Sequence, residues 1–326
     1  MYELENSFWR GKKVFITGGT GFIGTYLVDE LVRNGAEVYC LVLEMPKNSN
    51  FSKFGLEKKT NLVFGSVLDF ELINLSLRKY EIDCVYHLAA QPLVQIALKS
   101  PLETLKINLL GSLNVLEACR VNGVKSVVVA SSDKAYGSHD KLPYDESFAL
   151  QGEYPYDVSK SCTDLLAQSY GKTYGMNIGI SRSSNVYGGG DLNFDRIVPE
   201  TIKHILFNEP ILIRSDGKFI REFFYVKDAA KAYLTLGEKV IKLNLKGEGF
   251  NFGTDKPVQI LELVQKIKEV SGRNAEINIL NVVKAEIKNQ FLSSGKARRV
   301  LGWSSEYELD RGLRETFEWY KNYFGK

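Results

Sequence analysis

The stretch TGGTGFIG, residues 17–24, decides the fold that we predict for this chain of 326 residues. It follows the apolar run Lys13–Thr17, which has the character of a buried strand, and it opens Phe22–Arg33, whose apolar spacing is helical. Its glycines fit the pattern GxGxxG, and glycine permits both a tight turn and a close approach of backbone amides to a phosphate. A strand, this turn and a helix together predict a parallel α/β sheet with a dinucleotide site at its edge.

The alternation of strand and helix continues through the first half of the chain. Further strands are predicted at Glu37–Val42, Leu62–Phe64, Cys84–Leu88, Ser126–Ala130 and Ile178–Ser181. Helices are predicted at Asp69–Lys79, Leu98–Val121 and Tyr156–Tyr174. Nearly continuous apolar strands separated by helices predict a Rossmann-like, doubly wound parallel sheet that is covered on both faces.

The pattern becomes irregular in the second half of the chain. Helices are expected there near 197–208, 228–241, 257–271 and 309–323. We therefore predict a dinucleotide-binding domain over residues 1–184 and a smaller α/β substrate-binding lobe over residues 185–326. Parts of 220–255 are expected to pack back on the large domain.

Composition and charge narrow the classes of function. The net charge is +3 and no block of Lys or Arg stands out, so we expect binding to neither nucleic acid nor a membrane surface. The four cysteines are scattered without metal-ligand spacing, which predicts reduced thiols and no metal site. Residues 1–13 lack the apolar core of a signal peptide and no apolar run reaches the length of a membrane span, so we expect a soluble, cytoplasmic protein.

The second strand bears on the choice of dinucleotide. In this type of fold an acidic residue at the end of the second strand binds the ribose hydroxyls of NAD. Glu44 is the only carboxylate near that point, and no arginine stands there to hold the 2′-phosphate of NADP. The sequence therefore favours NAD, with Glu44 as the ribose ligand.

A tyrosine and a lysine four residues apart suggest a catalytic base. In EYPYDVSK, residues 153–160, Tyr156 and Lys160 share one face of a predicted helix. A phenol has an ordinary pKa near 10, and a neighbouring ammonium or an oxidised nicotinamide would lower it. Ser132, just beyond the fifth strand, could orient a substrate hydroxyl toward that phenol. Together these residues predict proton transfer to and from a hydroxyl beside the cofactor.

Several stretches resemble one enzyme family, the extended short-chain dehydrogenases/reductases that act on nucleotide sugars. The matching stretches are TGGTGFIG, HLAAQ (87–91), SSDKAYG (131–137), YPYDVSK (154–160), RSSNVYGGGD (182–191), REFFYVKDAAKAY (221–233) and KARRVLGW (296–303). Within the family the resemblance is to the nucleotide-sugar 4,6-dehydratases, and LAAQPLV (88–94) with Asp133-Lys134 is similar to those acting on CDP-glucose.

The resemblance implies a hydro-lyase reaction and a set of site residues. Tyr156 would take the proton of the sugar 4-hydroxyl, Asp133 would protonate the departing hydroxyl at C6, and Lys134 would take the proton at C5. The implied cofactor ligands, besides Glu44, are Gly18, Thr20, Gly21, Phe22, Ile23, Gly24, Leu88, Ala89, Ala90, Tyr156, Lys160 and Ser183. The implied substrate ligands are Gln91, Asn185, Arg196 and Arg221. The resemblance also implies a homodimer formed by the helices at 98–121 and 156–174.

Two other functions remain open from the sequence. A nucleotide-sugar 4-epimerase would use the same Ser132, Tyr156 and Lys160 but would need no Asp133-Lys134 pair. A non-catalytic, NAD-binding regulatory protein would need only the glycine turn. Two positions also depart from the resemblance. REFFYVKD (221–228) lacks the Arg-Pro-Trp of CDP-glucose enzymes, and Ser66 stands where the family usually has the Asp that contacts adenine.

Overall fold

The computed structural model describes residues 7–45, 48–282 and 287–326 of the chain. Residues 1–6 lie outside the described residues, and they belong to the stretch that was expected not to be a signal peptide. The strands and helices below are numbered along the chain.

Seven parallel strands form the main sheet. They are β1 (Lys13–Thr17), β2 (Glu37–Val42), β3 (Asn61–Phe64), β4 (Cys84–His87), β5 (Ser126–Ala130), β6 (Ile178–Ser183) and β10 (Lys246–Phe252). Their spatial order is β3-β2-β1-β4-β5-β6-β10, so the order of the strands reverses between β1 and β4. In a sheet of this kind ligands bind at such a switch point, beyond the carboxyl ends of the strands. The predicted Rossmann-like, doubly wound fold is confirmed.

Helices cover both faces of this sheet. In chain order, and including α8, α10 and α11, which pack in the core of the smaller lobe, the described α-helices are α1 (Phe22–Arg33), α2 (Asn50–Lys53), α3 (Phe70–Lys79), α4 (Val94–Lys99), α5 (Pro101–Leu105), α6 (Gly111–Val121), α7 (Pro155–Tyr174), α8 (Ile197–Phe207), α9 (Val226–Lys242), α10 (Ile260–Ser271) and α11 (Leu309–Phe324). Helices α1 and α9 bury apolar side chains against one face, and α3, α6 and α7 bury theirs against the other. Two separate apolar cores therefore hold the sheet on its two sides, which explains why its strands are apolar almost throughout.

The second half of the chain builds a smaller α/β lobe. Its strands are β7 (Asn185–Tyr187), β8 (Ile211–Ile213), β9 (Ile220–Tyr225), β11 (Pro257–Gln259), β12 (Ile277–Ile279) and β13 (Asn289–Gln290). Strand β9 pairs with β7, β11 and β13, and β8 pairs with β12. Strand β10 leaves this lobe and pairs with β6 of the main sheet. The domain boundary at residue 184 remains a prediction.

Two sequence-based expectations for helices are wrong in detail. The helix expected over 98–121 is interrupted: α4 ends at Lys99, Ser100 takes a non-helical conformation, and Pro101 starts a new helix. Proline disfavours the helical conformation of the preceding residue but suits the first position of a helix, so it divides this segment. The helix expected from 257 begins at Ile260, because residues 257–259 pair with β9 as a strand.

The helices and the thiols bear on the expectations about membrane spans and reduced cysteines. Among the described residues, no helix combines the length and the apolar content needed to cross a bilayer. All four cysteines are free: Cys40, Cys84 and Cys119 are buried, and Cys162 is partly exposed. Burial raises the pKa of the Cys40 and Cys84 thiols to about 12, so these two are inert as nucleophiles at neutral pH.

Candidate active site

A large cavity lies at the carboxyl ends of β1, β4, β5 and β6. Its volume is about 930 Å³, which is sufficient for a dinucleotide end together with a sugar nucleotide. The turns after these strands form one side, and residues of α8, β9 and β13 from the smaller lobe form the other. The topology thus brings distant parts of the chain to one place, the place where the strand order reverses.

The glycine turn has the shape that a pyrophosphate requires. Gly18 has a positive φ of 74°, and a Cβ there would lie 2.7 Å from the backbone nitrogen of Ala89. A Cβ at Gly24 would overlap the carbonyl group of Gly18, so the first turn of α1 packs directly on the loop. None of the described side chains caps the N-terminus of α1, and its first amides are therefore available to an anion. These features fit a bound dinucleotide.

A short turn carries the two charged residues into the cavity. Strand β5 ends at Ala130, and Asp133–Tyr136 form a 3₁₀ turn whose N-cap is Ser132. The Ser132 hydroxyl accepts a hydrogen bond from the Lys134 backbone amide at 3.2 Å and donates one to the Asp133 carboxylate at 3.0 Å. Residues next to each other in a strand would point to opposite faces. Because the chain has left the strand, Asp133 and Lys134 both line the same cavity.

Asp133 and Lys134 form an ion pair that a distant glutamine supports. The Lys134 Nζ lies 3.3 Å from the Asp133 carboxylate, and the Asp133 side chain is almost completely buried. The Lys134 Nζ also donates to the side-chain oxygen of Gln290 in β13. Sequence analysis missed Gln290, because it stands in a two-residue strand far along the chain and matches no motif.

Tyr156 and Lys160 stand at the start of α7, where Pro155 occupies the first helical turn. The Lys160 Nζ donates to the Ala130 carbonyl at 2.9 Å, and burial lowers the pKa of Lys160 to about 8. Burial raises the pKa of Tyr156 above its ordinary value, although Arg196 and a hydrogen bond with Ser132 act in the lowering direction. In the protein alone desolvation therefore outweighs the neighbouring charges, and the lowering by an ammonium and an oxidised nicotinamide stays a prediction.

Arginines line the side of the cavity that the smaller lobe forms. Arg196 pairs with Asp191 at 2.9 Å, and Arg221 donates to main-chain carbonyl groups, including that of Lys288 at 2.8 Å. Arg214 also lines the cavity and pairs with Glu200 at 2.7 Å. Arg214 was missed because it follows the short strand β8 and belongs to none of the motifs recognised in the sequence.

The structure brings most of the predicted site residues together. The cavity lining includes Gly18, Gly21, Phe22, Ile23, Gly24, Leu88, Ala89, Ala90, Ser132, Asp133, Lys134, Tyr156, Lys160, Ser183, Asn185, Arg196 and Arg221. Thr20, Glu44 and Gln91, which the structure also describes, lie outside this lining. Glu44 is exposed beyond the end of β2, so its ribose contact stays a prediction.

The Gln91 side chain holds the turn after β4, and its contact with substrate stays a prediction. Its side-chain amide donates to Thr104 at 2.9 Å and to the Leu93 carbonyl, and its side-chain oxygen accepts from the Leu93 amide at 2.6 Å. The hydrogen-bonding atoms of this side chain are thus used to hold the turn after β4. The same turn includes Ala89 and Ala90, which line the cavity wall.

Asp157 is a further carboxyl group in the cavity that the sequence analysis passed over. Its side chain is only 3% exposed, and it stands directly after Tyr156 in the motif. Burial raises its pKa to about 6, while Lys134 and the backbone amide of Tyr154 act in the lowering direction. The signal was present in YPYDVSK, where an acid directly follows the tyrosine. An ionisable group buried at a cost in this position is typical of a functional site.

We expect Asp157→Asn to stabilise the protein at pH 8 by about 1–3 kcal/mol and to change its stability much less at pH 4. The folded protein holds the Asp157 proton up to about pH 6, whereas the unfolded chain releases it near 4. Stability therefore falls as the pH rises through that interval, and an asparagine does not pay this cost. Urea unfolding at both pH values tests this, with the exposed acid variant Glu71→Gln as the control. An equal effect at both pH values would contradict the assignment.

A known protein family matches most of the chain. The sequence profile of the NAD dependent epimerase/dehydratase family matches residues 14–253. The chain belongs to this family. The CDP-glucose 4,6-dehydratase of Salmonella typhimurium is 30% identical over 98% of this chain and 93% of its own length.

Solved structures of the epimerase/dehydratase family agree with the fold. The UDP-glucose 4-epimerase of Thermotoga maritima, solved with UDP-glucose, has a TM-score of 0.89 and 29% identity, over 96% of this chain and 99% of that one. The dTDP-glucose 4,6-dehydratase of Streptomyces venezuelae, solved with NAD bound, has a TM-score of 0.88 and 26% identity, over 96% and 98%. The predicted extended short-chain dehydrogenase/reductase family and the NAD cofactor are confirmed.

Proposed function

We propose that this chain is an NAD-dependent nucleotide-sugar 4,6-dehydratase. In the proposed reaction C4 of the sugar is oxidised, water is eliminated across C5 and C6, and C6 is reduced to a methyl group. We further propose CDP-glucose as the substrate and CDP-4-keto-6-deoxyglucose as the product. Membership of the epimerase/dehydratase family supports the general chemistry, and the 30% identity to a CDP-glucose 4,6-dehydratase supports the choice of nucleotide.

The observation that carries the proposal is the presence of Asp133 and Lys134 in the same cavity as Ser132 and Tyr156. Oxidation at C4 alone needs one proton acceptor. Elimination of water needs in addition an acid for the departing hydroxyl and a base for the C5 proton. The 3₁₀ turn supplies both types of group within 3.3 Å of each other.

The first step uses the residues at the start of α7. Tyr156 takes the proton of the 4-hydroxyl, and Ser132, which lines the same cavity, orients that hydroxyl. Lys160, held by the Ala130 carbonyl, adds positive charge near the phenolate. Bound NAD⁺ supplies the hydride acceptor and a further positive charge within the cavity. These charges act against the burial that otherwise raises the pKa of Tyr156.

The second step uses the ion pair. The ion pair can also exist in a neutral form, with Asp133 as the acid and Lys134 as the amine. The two forms have the same number of protons and differ only in which group holds one of them. Substrate that covers the cavity removes water and favours the neutral form of the pair. Lys134 can then take the C5 proton while Asp133 gives its proton to the departing hydroxyl, so that water leaves. Each of these proton transfers contributes typically about 10²–10⁴-fold in rate.

Nucleotide binding is proposed for the arginine side of the cavity. A guanidinium offers paired donors that match phosphate oxygens. The part of the cavity formed by the smaller lobe is lined by Arg196 and Arg221, which were predicted from the sequence. It is also lined by Arg214, which the structure adds. Asn185, whose side chain donates to the Glu222 carbonyl at 3.1 Å, also lines the cavity and is proposed as a further substrate ligand.

A 4-epimerase is the second candidate. The likeness to the UDP-glucose 4-epimerase of Thermotoga maritima supports it. An epimerase would return the hydride to C4 and would leave Asp133 and Lys134 without a catalytic role. The near-complete burial of Asp133 against Lys134 favours the dehydratase, because an idle charged pair would cost desolvation energy in this position.

The function is tested by incubating the purified protein with CDP-glucose, without added reductant, and following the product by mass spectrometry. The proposal predicts a product lighter by one water. Loss of water from UDP-glucose or dTDP-glucose but not from CDP-glucose would support the dehydratase reaction and contradict CDP as the nucleotide of the substrate. An unchanged mass with inversion at C4, seen by NMR, would establish the epimerase. No conversion of any of these sugars, together with measurable NAD binding, would favour a regulatory protein.

We propose that the protein is a homodimer. The helices that the resemblance assigns to the interface carry exposed apolar side chains, among them Leu98, Leu102 and Leu110, and on α7 Leu165. Leu102 is 64% exposed, and burial against a second copy would remove this surface from water. We expect light scattering to give the mass of a dimer and Leu102→Asp with Leu165→Asp to give a monomer. A wild-type monomer at micromolar concentration would contradict the proposal.

The cytoplasm is the proposed location. Cys40, Cys84 and Cys119 are buried and unpaired, and Cys162 is also free. Unpaired thiols are typical of reducing compartments.

A further inference from the structure

Gln290 connects the smaller lobe to the catalytic turn. Its side chain is completely buried and forms part of the cavity wall. The amide nitrogen donates to the main-chain carbonyl of Asp133 at 2.9 Å, and the amide oxygen accepts from the Lys134 Nζ. A carbonyl needs a donor and an ammonium needs an acceptor, so only this orientation of the amide satisfies both partners.

We propose that Gln290 is a positioning residue that directs Lys134 during the elimination of water, a role that rests on the proposed dehydratase function. Without Gln290, Lys134 would have the Asp133 carboxylate as its nearest partner and would be held as an ammonium. The neutral amide oxygen accepts a hydrogen bond from either the ammonium or the amine of Lys134. Gln290 can therefore hold Nζ in place through the proton transfer, leaving the lone pair of the amine for the C5 proton.

The position of Gln290 also links this role to the substrate side. Strands β13 and β9 are parallel neighbours, and Gln290 is paired in register with Arg221. Arg221 lines the cavity and is proposed above to hold the pyrophosphate. One rung of a β-ladder thus carries both the residue proposed to bind the nucleotide and the residue that directs Lys134. A shift of about 1 Å in a reacting group can cost roughly 10²-fold in rate, so this link has consequences for catalysis.

Two substitutions test the role of Gln290. Gln290→Leu removes both hydrogen bonds at similar volume, and we expect the rate of water loss to fall roughly tenfold to a hundredfold. Oxidation of C4, followed by the near-ultraviolet absorbance of the reduced cofactor, should persist, so reduced cofactor should accumulate. Gln290→Glu places a carboxylate against Lys134, which already faces Asp133 and Asp157. We expect the rate of water loss in this variant to rise with pH over a higher range than in the wild type.

The control is Asn289→Leu, on the exposed side of the same strand. It should leave both the oxidation and the water loss unchanged. A fall of oxidation and water loss in equal proportion in Gln290→Leu, with no change of the pH profile in Gln290→Glu, would overturn the role and make Gln290 a structural residue. Wild-type rates in both variants would also overturn it. A wild-type protein that removes no water would instead refute the dehydratase function, and the positioning role with it.

Discussion

Tyr156→Phe is expected to lower the rate of C4 oxidation by about 10³-fold while leaving the fold intact. The substitution removes one oxygen atom from a half-buried side chain and nearly keeps its volume. Lys160 remains on the Ala130 carbonyl, so the helix start and the turn after β5 keep their contacts. The loss is large because the proposed mechanism gives Asp133 and Lys134 to the later elimination step and leaves Tyr156 as the group that takes the 4-hydroxyl proton. Single-turnover formation of reduced cofactor measures this step directly.

The matched control for Tyr156→Phe is Tyr174→Phe at the far end of α7, where the side chain is exposed. It should retain the wild-type rate. Substrate binding by Tyr156→Phe should also stay close to that of the wild type, since the proposed arginine contacts are unchanged. A Tyr156→Phe protein that oxidises C4 within tenfold of the wild-type rate would remove Tyr156 from the mechanism.

Arg182→Met is expected to lower the free energy of unfolding by about 3–5 kcal/mol, the largest stability effect that we predict. Arg182 donates to the Asp164 carboxylate at 2.8 and 3.0 Å, and Asp164 is completely buried. Removal of the arginine leaves this carboxylate without its counter-charge. Arg182 also donates to the Tyr136 hydroxyl at 2.9 Å, and Tyr136 donates to Asn251 at 2.7 Å. The pair therefore supports the turn that carries Asp133 and Lys134.

Urea unfolding with a constant slope measures this loss. Lys256→Met, which breaks the exposed pair with Glu308, is the control and should cost less than about 1 kcal/mol. The double variant Arg182→Met with Asp164→Leu should recover much of the loss, because it removes the unpaired charge. A cost below about 1 kcal/mol for Arg182→Met alone would show that Asp164 finds other partners and would contradict the account.

The fold was predictable because its signals are local. Strand β1, helix α1, strand β2 and strand β5 have the bounds expected from apolar spacing and from the glycine turn. The break at Ser100 was also open to prediction, since Pro101 follows it directly. Parts of 220–255 were expected to pack back on the large domain, but the pairing of β10 with β6 was not predicted, because it depends on contacts between distant residues.

The site was predictable where a motif carries it. Ser132, Asp133, Lys134, Tyr156 and Lys160 all line one cavity. Gln290 and Arg214 were missed because their positions depend on how the smaller lobe folds over the sheet, and two-residue or three-residue strands leave little trace in a sequence. The effect of burial on the pKa of Tyr156 was missed for a related reason. Charge is visible in a sequence, whereas the burial that outweighs it is not.

The central claim is tested most directly with CDP-glucose that carries deuterium at C4. A 4,6-dehydratase moves this hydrogen within the sugar, so the account predicts a product that has lost water and carries the deuterium on the new C6 methyl group, as seen by NMR and mass spectrometry. Deuterium that returns to C4 in a sugar of unchanged mass and inverted configuration would contradict the account and make the protein an epimerase.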